Sequence, residues 1–304
     1  MSSESFSQQS EQEIIAERRE GLKENLGIAL CSKQKDGSIV PLLSQIEFAQ
    51  RMNLPSVQFD FRNRAVEEIE LALDVFIEYR KSHPDTVLSI HGETLQIDED
   101  NAGMKNRDRL LHELELTEKL GGESFTVHPP SINSGLFGNL PKETHDKVLD
   151  HYCSVFTDAM KHGIKLTVAV ENMPVKGDNG AWGQNVSDII FLIGRLEQAF
   201  VKAGLSPDDA RARVGATLDV NHALHGADIN MYETILTKWF QGLGEYLTVV
   251  HLYTPSEITE EFLEKQKLSL ELASRFSPNA RLFLESKQDM SVTKELYAKA
   301  RSVD

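Results

Sequence analysis

Residues Leu166–Glu171 read LTVAVE, and residues Val214–Asp219 read VGATLD. Both runs are short, apolar and rich in β-branched residues, and both end in a carboxylate, so they predict buried strands. The intervening stretch Val186–Ala203 has its apolar residues at helical spacing. Because a helix separates the two strands, this part of the chain predicts a strand–helix–strand unit with parallel strands.

The same unit recurs along the chain. Besides these two runs, the predicted strands are Leu26–Cys31, Ser56–Phe61, Thr86–His91, Ser124–His128, Leu247–His251 and Arg281–Glu285. Apolar residues at helical spacing lie between them, in Ala65–Lys81, Arg107–Leu120, Pro141–His162 and Glu260–Ser274. Eight such units close into a barrel more readily than they fill an open sheet, so we predict an α/β fold, a single-domain (β/α)8 TIM barrel.

The predicted barrel domain covers residues 23–304. Residues 1–22 are expected to form an N-terminal tail or an extra helix over Glu13–Lys23, and residues 205–213 predict an added helical turn before the sixth strand. The alternative fold, a doubly wound sheet, usually has a glycine-rich phosphate loop after its first strand. Here that position, Cys31–Gly37, reads CSKQKDG, which favours the barrel.

Composition limits the classes of function. The net charge of −15 repels nucleic-acid phosphates and so argues against a broad DNA-binding surface, although a local metal cluster could still attract a phosphate. No apolar run approaches the ~20 residues that span a bilayer. Residues 1–20 are polar and lack the apolar core of a secretory signal. We therefore expect a cytoplasmic protein without membrane contact, whose two cysteines, Cys31 and Cys153, are reduced.

The strongest functional pattern lies where the predicted strands end. Six of them end in a side chain that can bind a metal ion: His91, His128, Glu171, Asp219, His251 and Glu285. In a TIM barrel the carboxyl ends of all strands meet at one mouth, where active sites lie. Three carboxylates and one imidazole suit a divalent cation such as Mn²⁺, Mg²⁺ or Zn²⁺, and without a cation the carboxylates would repel one another. The additional histidines His91 and His128 favour zinc or manganese.

Several of these residues, and several polar or aromatic residues near the same strand ends, also have a purely structural interpretation. Glu171 and Glu285 could pair with a lysine or arginine, and His128 could be a buried histidine bonded to backbone. His222 could contribute to the site or cap the next helix. Lys287 could reach an anionic group of a substrate or pair with a ligand carboxylate. Arg62 could bind a phosphate or form a surface ion pair, and Trp182 and Tyr253 could stack on a sugar ring or simply pack.

Five short motifs add a resemblance to a known family. They are Phe125–Pro129 (FTVHP), Val170–Asn172 (VEN), Leu218–His222 (LDVNH), Val250–Leu252 (VHL) and Leu284–Glu285 (LE). In this order and placement, the chain from about Leu88 to Glu285 resembles the xylose isomerase-like barrel superfamily, which includes sugar isomerases, sugar epimerases and the endonuclease IV family.

The resemblance implies roles for individual residues. Those matching Glu171, Asp219, His251 and Glu285 form the shared metal site of the superfamily. His91 and His128 match residues that join Glu171 at a second metal in the endonucleases and often contact substrate in the sugar isomerases. His222 matches a ligand of a third zinc in the endonucleases and a residue that binds a substrate hydroxyl in the epimerases.

The sequence also departs from both branches. The endonucleases have an Asp-x-His pair soon after the seventh strand and many isomerases have a Gly-x-Gly turn, but Tyr253–Lys267 contains neither. The third strand continues as Gly92-Glu93-Thr94, where relatives often have a proline and an aromatic residue. A third zinc site is therefore incomplete, and the substrate cannot be carried over from either branch.

We expect a divalent-metal-dependent isomerase or epimerase that acts on a small sugar or polyol derivative through an enediolate. In this hypothesis Glu171 and Glu285 are catalytic, the metal ligands are Glu171, Asp219, His251 and Glu285, and the residues that contact substrate are His91, His128, His222 and Lys287. The alternatives are an endonuclease IV-like phosphodiesterase that acts on abasic DNA, and a related lyase or dehydratase. The expected partner is a small sugar-like substrate, and a homo-oligomer is compatible with the sequence.

Overall fold

The computed structural model describes residues 10–34, 36–97, 104–132, 141–175, 182–252, 254–255 and 257–303. Tyr253 and the first nine residues of the predicted tail lie outside these ranges. The strands of the described chain are β1 (Gly27–Leu30), β2 (Ser56–Asp60), β3 (Val87–His91), β4 (Gln96–Ile97), β5 (Ser124–Val127), β6 (Ser131–Ile132), β7 (Thr167–Glu171), β8 (Val214–Asp219), β9 (Leu247–Leu252) and β10 (Arg281–Ser286).

Eight of these strands form a closed parallel barrel, in the order β1, β2, β3, β5, β7, β8, β9 and β10, with β10 paired to β1. The predicted (β/α)8 TIM barrel is therefore confirmed. Each predicted barrel strand is present, and its ends differ from the prediction by at most one residue. Strand length was predictable because the apolar runs stop where the chain leaves the barrel wall.

Helices connect the strands. Their bounds are α1 (Glu11–Glu24), α2 (Leu42–Met52), α3 (Val66–Ser82), α4 (Arg107–Lys119), α5 (Lys142–Lys161), α6 (Val186–Lys202), α7 (Pro207–Ala212), α8 (Val220–Ala223), α9 (Tyr232–Leu243), α10 (Glu260–Phe276) and α11 (Met290–Arg301). Side-chain caps fix several starts: Asn185 accepts a hydrogen bond from the Asp188 N–H at α6, and Thr259 accepts one from Phe262 at α10. Among the described residues, no helix has the length and apolarity needed to cross a membrane.

The two faces of each barrel strand differ. Most outward residues are apolar and lie under the helices, as where Phe59 of β2 packs edge-on against Phe76 of α3 with ring centroids 4.8 Å apart. Inside the barrel, Ala29, Val249 and Phe283 form a separate small apolar cluster. This apolar cluster forms part of the barrel interior, and the polar side chains described below lie at the carboxyl ends of the strands.

A small second sheet, which the sequence analysis did not predict, joins two of the connections at the barrel mouth. β4 and β6 pair in parallel, with Gln96 opposite Ser131. Asn106 reinforces this connection, since its Oδ1 accepts from the Gln96 N–H at 2.9 Å and its Nδ2 donates to the Thr94 carbonyl at 2.7 Å. The segments that follow β3 and β5 are therefore held together.

Candidate metal centre

The predicted strand-end residues converge at one mouth of the barrel. They form three groups whose ligand atoms lie within 4.8 Å of one another: His91 with His128 and Glu171, Glu171 with Asp219 and His222, and Asp219 with His251 and Glu285. Glu171 and Asp219 each belong to two groups, so the three groups make one continuous cluster. We call these seven residues the strand-end cluster.

Glu171 occupies the middle of this cluster. Its Oε2 lies 2.7 Å from His91 Nε2 and 3.0 Å from His128 Nε2, and its Oε1 lies 3.2 Å from His251 Nδ1. Burial raises the pKa of Glu171, but the three imidazoles outweigh this effect and hold the pKa well below its usual range. Glu171 is therefore an ionised, fully buried carboxylate, able to bind a cation or accept a proton.

Asp219 and His222 are positioned by the start of helix α8. Asp219 itself caps the helix by accepting from the His222 N–H at 2.8 Å, so the cap that we considered for His222 belongs to Asp219. The Asp219 N–H donates to Asn172 Oδ1 at 2.6 Å, and His222 Nδ1 donates to the Asn172 carbonyl at 2.8 Å. The imidazole is thereby fixed with Nε2 3.5 Å from Asp219 Oδ2.

The carboxylates repel one another as expected. Burial raises the pKa of Asp219 to about 7, and the charges of Glu285 and Glu171 add to this rise although His222 opposes it. A divalent cation would relieve this repulsion, and carboxylate and imidazole groups are suitable ligands for it. The residues Glu171, Asp219, His251 and Glu285 therefore fit a divalent cation in both charge and chemistry.

Arg62 forms an ion pair, which was one of its two interpretations, but the pair lies in the wall of the site and not on the surface. Its side chain is only 17% exposed, and its Nε and Nη2 donate to the two oxygens of Asp60 at 2.8 and 3.1 Å. Its Nη1 lies 3.2 Å from His128 Nε2, and Nη2 lies 3.7 Å from Glu285 Oε1. The guanidinium is thus part of the wall of the site.

A cavity of about 380 Å³ opens beside the cluster, with Cys31, Asp60, Arg62, Thr94, His128 and Lys287 in its lining. This volume is at the small end of the range for ligand pockets. Lys287 is solvent-exposed at the cavity, and the neighbouring Glu285 raises its pKa. Trp182 instead packs against His145 and Phe191, with ring centroids 4.7 and 5.2 Å away.

Sequence reasoning missed Gln58, Asp60 and Asn172. Gln58 and Asp60 are two residues apart in the strand SVQFD and therefore share its inner face. Polar residues alternating with Val57 and Phe59 were the signal that could have identified them. Asn172 was noted only as part of the VEN motif, and its contacts with Asp219 and His222 depend on the fold.

Glu113 of α4 supports the rim of the cavity and provides a test of pH dependence. Its Oε2 accepts from the Glu93 N–H at 2.8 Å, and burial raises its pKa to about 7 although Glu93 N–H and Arg109 oppose the rise. A raised pKa means that this carboxyl stabilises the fold fully below its unfolded pKa of about 4.3 and loses that contribution as the pH rises through 7.

We expect Glu113→Gln to remove this dependence. The unfolding free energy of the variant minus that of the unsubstituted protein should be larger at pH 8 than at pH 5, by on the order of 2 kcal/mol. Urea unfolding of both proteins at the two pH values measures the difference. A difference that stays constant with pH would show that Glu113 does not titrate in this range.

Solved structures with this fold include proteins of several activities. A D-tagatose 3-epimerase-like protein has a TM-score of 0.59 and 17% identity over 91% of this chain and 96% of its own. A putative xylose isomerase from Rhodospirillum rubrum has a TM-score of 0.60 and 14% identity over 92% and 98%. An AP endonuclease of family 2 from Brucella melitensis has a TM-score of 0.56 and 14% identity over 92% and 99%.

No family model and no curated protein sequence matches the chain. At identities this low, the likeness to the solved structures concerns the fold. The chain thus has the fold of the xylose isomerase-like TIM barrels.

Proposed function

We propose that this protein is a divalent-metal-dependent isomerase or epimerase acting on a small sugar or polyol derivative. Glu171, Asp219, His251 and Glu285 would hold the cation, with zinc or manganese favoured by the imidazole ligand and magnesium also compatible. When bound, the cation would polarise a substrate carbonyl as a Lewis acid. The small cavity and the similarity in fold to epimerases and isomerases support this assignment.

Residues of the strand-end cluster and Lys287 would carry out proton transfer and substrate binding. One of Glu171 and Glu285, both ionised before the reaction, would remove a proton from the carbon next to the carbonyl and leave an enediolate. The other would take up a proton from solvent and return it to that carbon or its neighbour. His91, His128, His222 and Lys287 would hold the substrate oxygens. Each imidazole is already oriented, as where His222 Nδ1 donates to the Asn172 carbonyl at 2.8 Å.

The position of Arg62 is the observation that favours a site with one cation over a site with two or more. Its Nη1 lies 3.2 Å from His128 Nε2, the atom that a second cation would need, so a positively charged guanidinium group already stands next to that atom. The local charges agree, because Arg62 and Lys287 together with one divalent cation balance four carboxylates, which are Asp60, Glu171, Asp219 and Glu285. A second cation would leave a surplus of positive charge around Arg62, which is costly in a buried site.

The second candidate is a phosphodiesterase of the endonuclease IV type. It is favoured by the group of His91, His128 and Glu171, whose ligand atoms lie within 4.8 Å of one another and could hold a second metal if Arg62 moved away. The net charge of −15 opposes binding to a nucleic-acid backbone. We therefore rank it second.

Two measurements on the purified protein separate these candidates. We expect elemental analysis to find one divalent cation per chain, and a panel of ketoses and their phosphates to contain a substrate. Two or more zinc ions per chain together with nicking of a duplex that contains an abasic site would overturn the assignment in favour of the phosphodiesterase. A chain without bound cation after incubation with zinc, manganese and magnesium would exclude both.

A further inference from the structure

Gln58 is a buried polar residue within the barrel wall that the proposed chemistry does not use. It lies in the middle of β2, is 1% exposed, and stands opposite Ala29 of β1 and Ser89 of β3. Among the described residues, its hydrogen-bonding contacts are to three residues of the barrel interior: Ser89, Thr126 and His251. A buried amide is costly unless it is fully bonded, so these contacts indicate a specific role.

The hydroxyl contacts favour one orientation of the Gln58 amide. Gln58 Nε2 lies 3.1 Å from Ser89 Oγ and 3.0 Å from Thr126 Oγ1. The Ser89 hydroxyl has acceptors for its own proton in the Ser124 carbonyl and hydroxyl, at 3.2 and 2.9 Å, so its lone pairs are free to accept from Gln58. The amide nitrogen therefore faces the hydroxyls, and the amide oxygen faces His251.

This orientation determines the tautomer of His251. Gln58 Oε1 lies 2.7 Å from His251 Nε2 and can only accept a hydrogen bond, so the single proton of a neutral His251 is drawn to Nε2. Nδ1 then has its lone pair free on the side of the cluster, 3.2 Å from Glu171 Oε1. A lone pair in that position is what a metal ion requires of an imidazole.

The carboxylates of the strand-end cluster favour the other tautomer of His251. Glu171, Asp219 and Glu285 surround the Nδ1 side of the ring and favour a proton there. In the described part of the structure, Gln58 is the group that bonds to Nε2. Without the Gln58 side-chain oxygen, His251 Nε2 would lose this acceptor, and the proton of a neutral His251 would move to Nδ1. That proton must then be displaced before a cation can bind to Nδ1.

We propose that Gln58 is a positioning residue that holds His251 in the tautomer competent to bind metal, through its hydrogen bond to Nε2. The inference rests on the proposed metal site. Gln58 touches neither cation nor substrate in this arrangement and acts through the imidazole alone. The hydroxyls of Ser89 and Thr126 act one step further away, because they hold the amide in place.

Cation affinity provides the test. The dissociation constant for Zn²⁺ would be measured by competition with a chromophoric chelator in the full-length protein. Gln58→Met keeps the length of the side chain and replaces the amide oxygen with a much weaker acceptor, and we expect it to raise the dissociation constant by about 10- to 100-fold. Gln58→Glu keeps an acceptor oxygen for Nε2, and we expect its dissociation constant to rise by no more than about threefold, because the imidazole keeps its partner.

A matched control separates this effect from general destabilisation. Gln266 of α10 is also 1% exposed and lies on a helix outside the strand-end cluster. Gln266→Met should therefore keep the original zinc affinity even if it lowers the Tm. Should Gln58→Met not fold, Ser89→Ala replaces it, and its dissociation constant should still rise, by a smaller factor.

The tautomer itself can be observed by long-range ¹H–¹⁵N NMR of the zinc-loaded protein. We expect a protonated Nε2 and a metal-bound Nδ1 for His251. Equal zinc affinity of the original protein and Gln58→Met, or His251 bound to zinc through Nε2, would overturn the role of Gln58 while leaving the metal site intact. Failure of the original protein to bind any divalent cation would instead overturn the metal site, and this inference with it.

Discussion

Replacing Glu171 with glutamine is expected to reduce turnover by at least ~100-fold, within the range that general acid–base groups contribute. An amide of the same shape can neither accept the proton from carbon nor supply negative charge to the cation. The loss should also weaken divalent-cation binding, because Glu171 is central to the cluster, with three imidazole nitrogens within 3.2 Å of its oxygens.

The fold should survive this change. The amide oxygen of Glu171→Gln still accepts a hydrogen bond from one of the surrounding histidines, and the barrel strands do not depend on the charge. Turnover, zinc affinity and thermal unfolding would be measured in parallel, with Glu113→Gln as the control because it also neutralises a buried carboxylate but lies outside the cluster. An active Glu171→Gln variant would remove Glu171 from the chemistry.

Replacing Gly92 with alanine is expected to lower the unfolding free energy by about 3 kcal/mol, the upper part of the range for overpacking a core. A Cβ at this position would overlap the ring of Phe125, which is fully buried in the main apolar core. The backbone cannot easily move away, because the Gly92 N–H donates to the Thr126 carbonyl at 2.9 Å. Since Gly92 follows His91, the strain also reaches the strand-end cluster.

The matched control is Gly194→Ala in the interior of α6. No atom outside the local helix lies within 4 Å of a Cβ built there, so the added methyl group should stabilise the helix by roughly 0.5–1 kcal/mol. Chemical denaturation of the two variants and the original protein measures both effects. A Gly92→Ala variant as stable as Gly194→Ala would show that Phe125 can repack without cost.

The barrel could be predicted from the sequence because each of its strands has its own local signal. VGATLD, for example, is a β-branched run with helical patterns on both sides, and the structure has a strand with the same ends, Val214 and Asp219. The convergence of the ligands followed from the same reasoning, since the carboxyl ends of parallel strands in a closed barrel must meet. Glu171 and His251 are 80 residues apart in sequence and 3.2 Å apart in space.

The contacts that tune the site could not be predicted in this way. Arg62 and His128 meet because their strand ends face one cavity, and no local pattern encodes the distance between two side chains. Gln58 was overlooked because one polar residue within an apolar run has little weight in a periodicity argument. β4 and β6 contain two residues each and have no periodicity that a sequence could reveal.

The pairing of β4 with β6 has a consequence for how the entrance of the site responds to a ligand. Thr94 Oγ1 lies 2.9 Å from His128 Nδ1, and the Thr94 carbonyl accepts from Asn106. The described parts of the two connections, residues 92–97 and 128–132, are therefore joined to each other, and a ligand that contacts either part need not immobilise both separately, which lowers the entropic cost of association. A substitution at Asn106 would change the position of Thr94 and, through it, that of His128. The ligand selectivity of the entrance can therefore change while the residues that carry out the reaction stay the same.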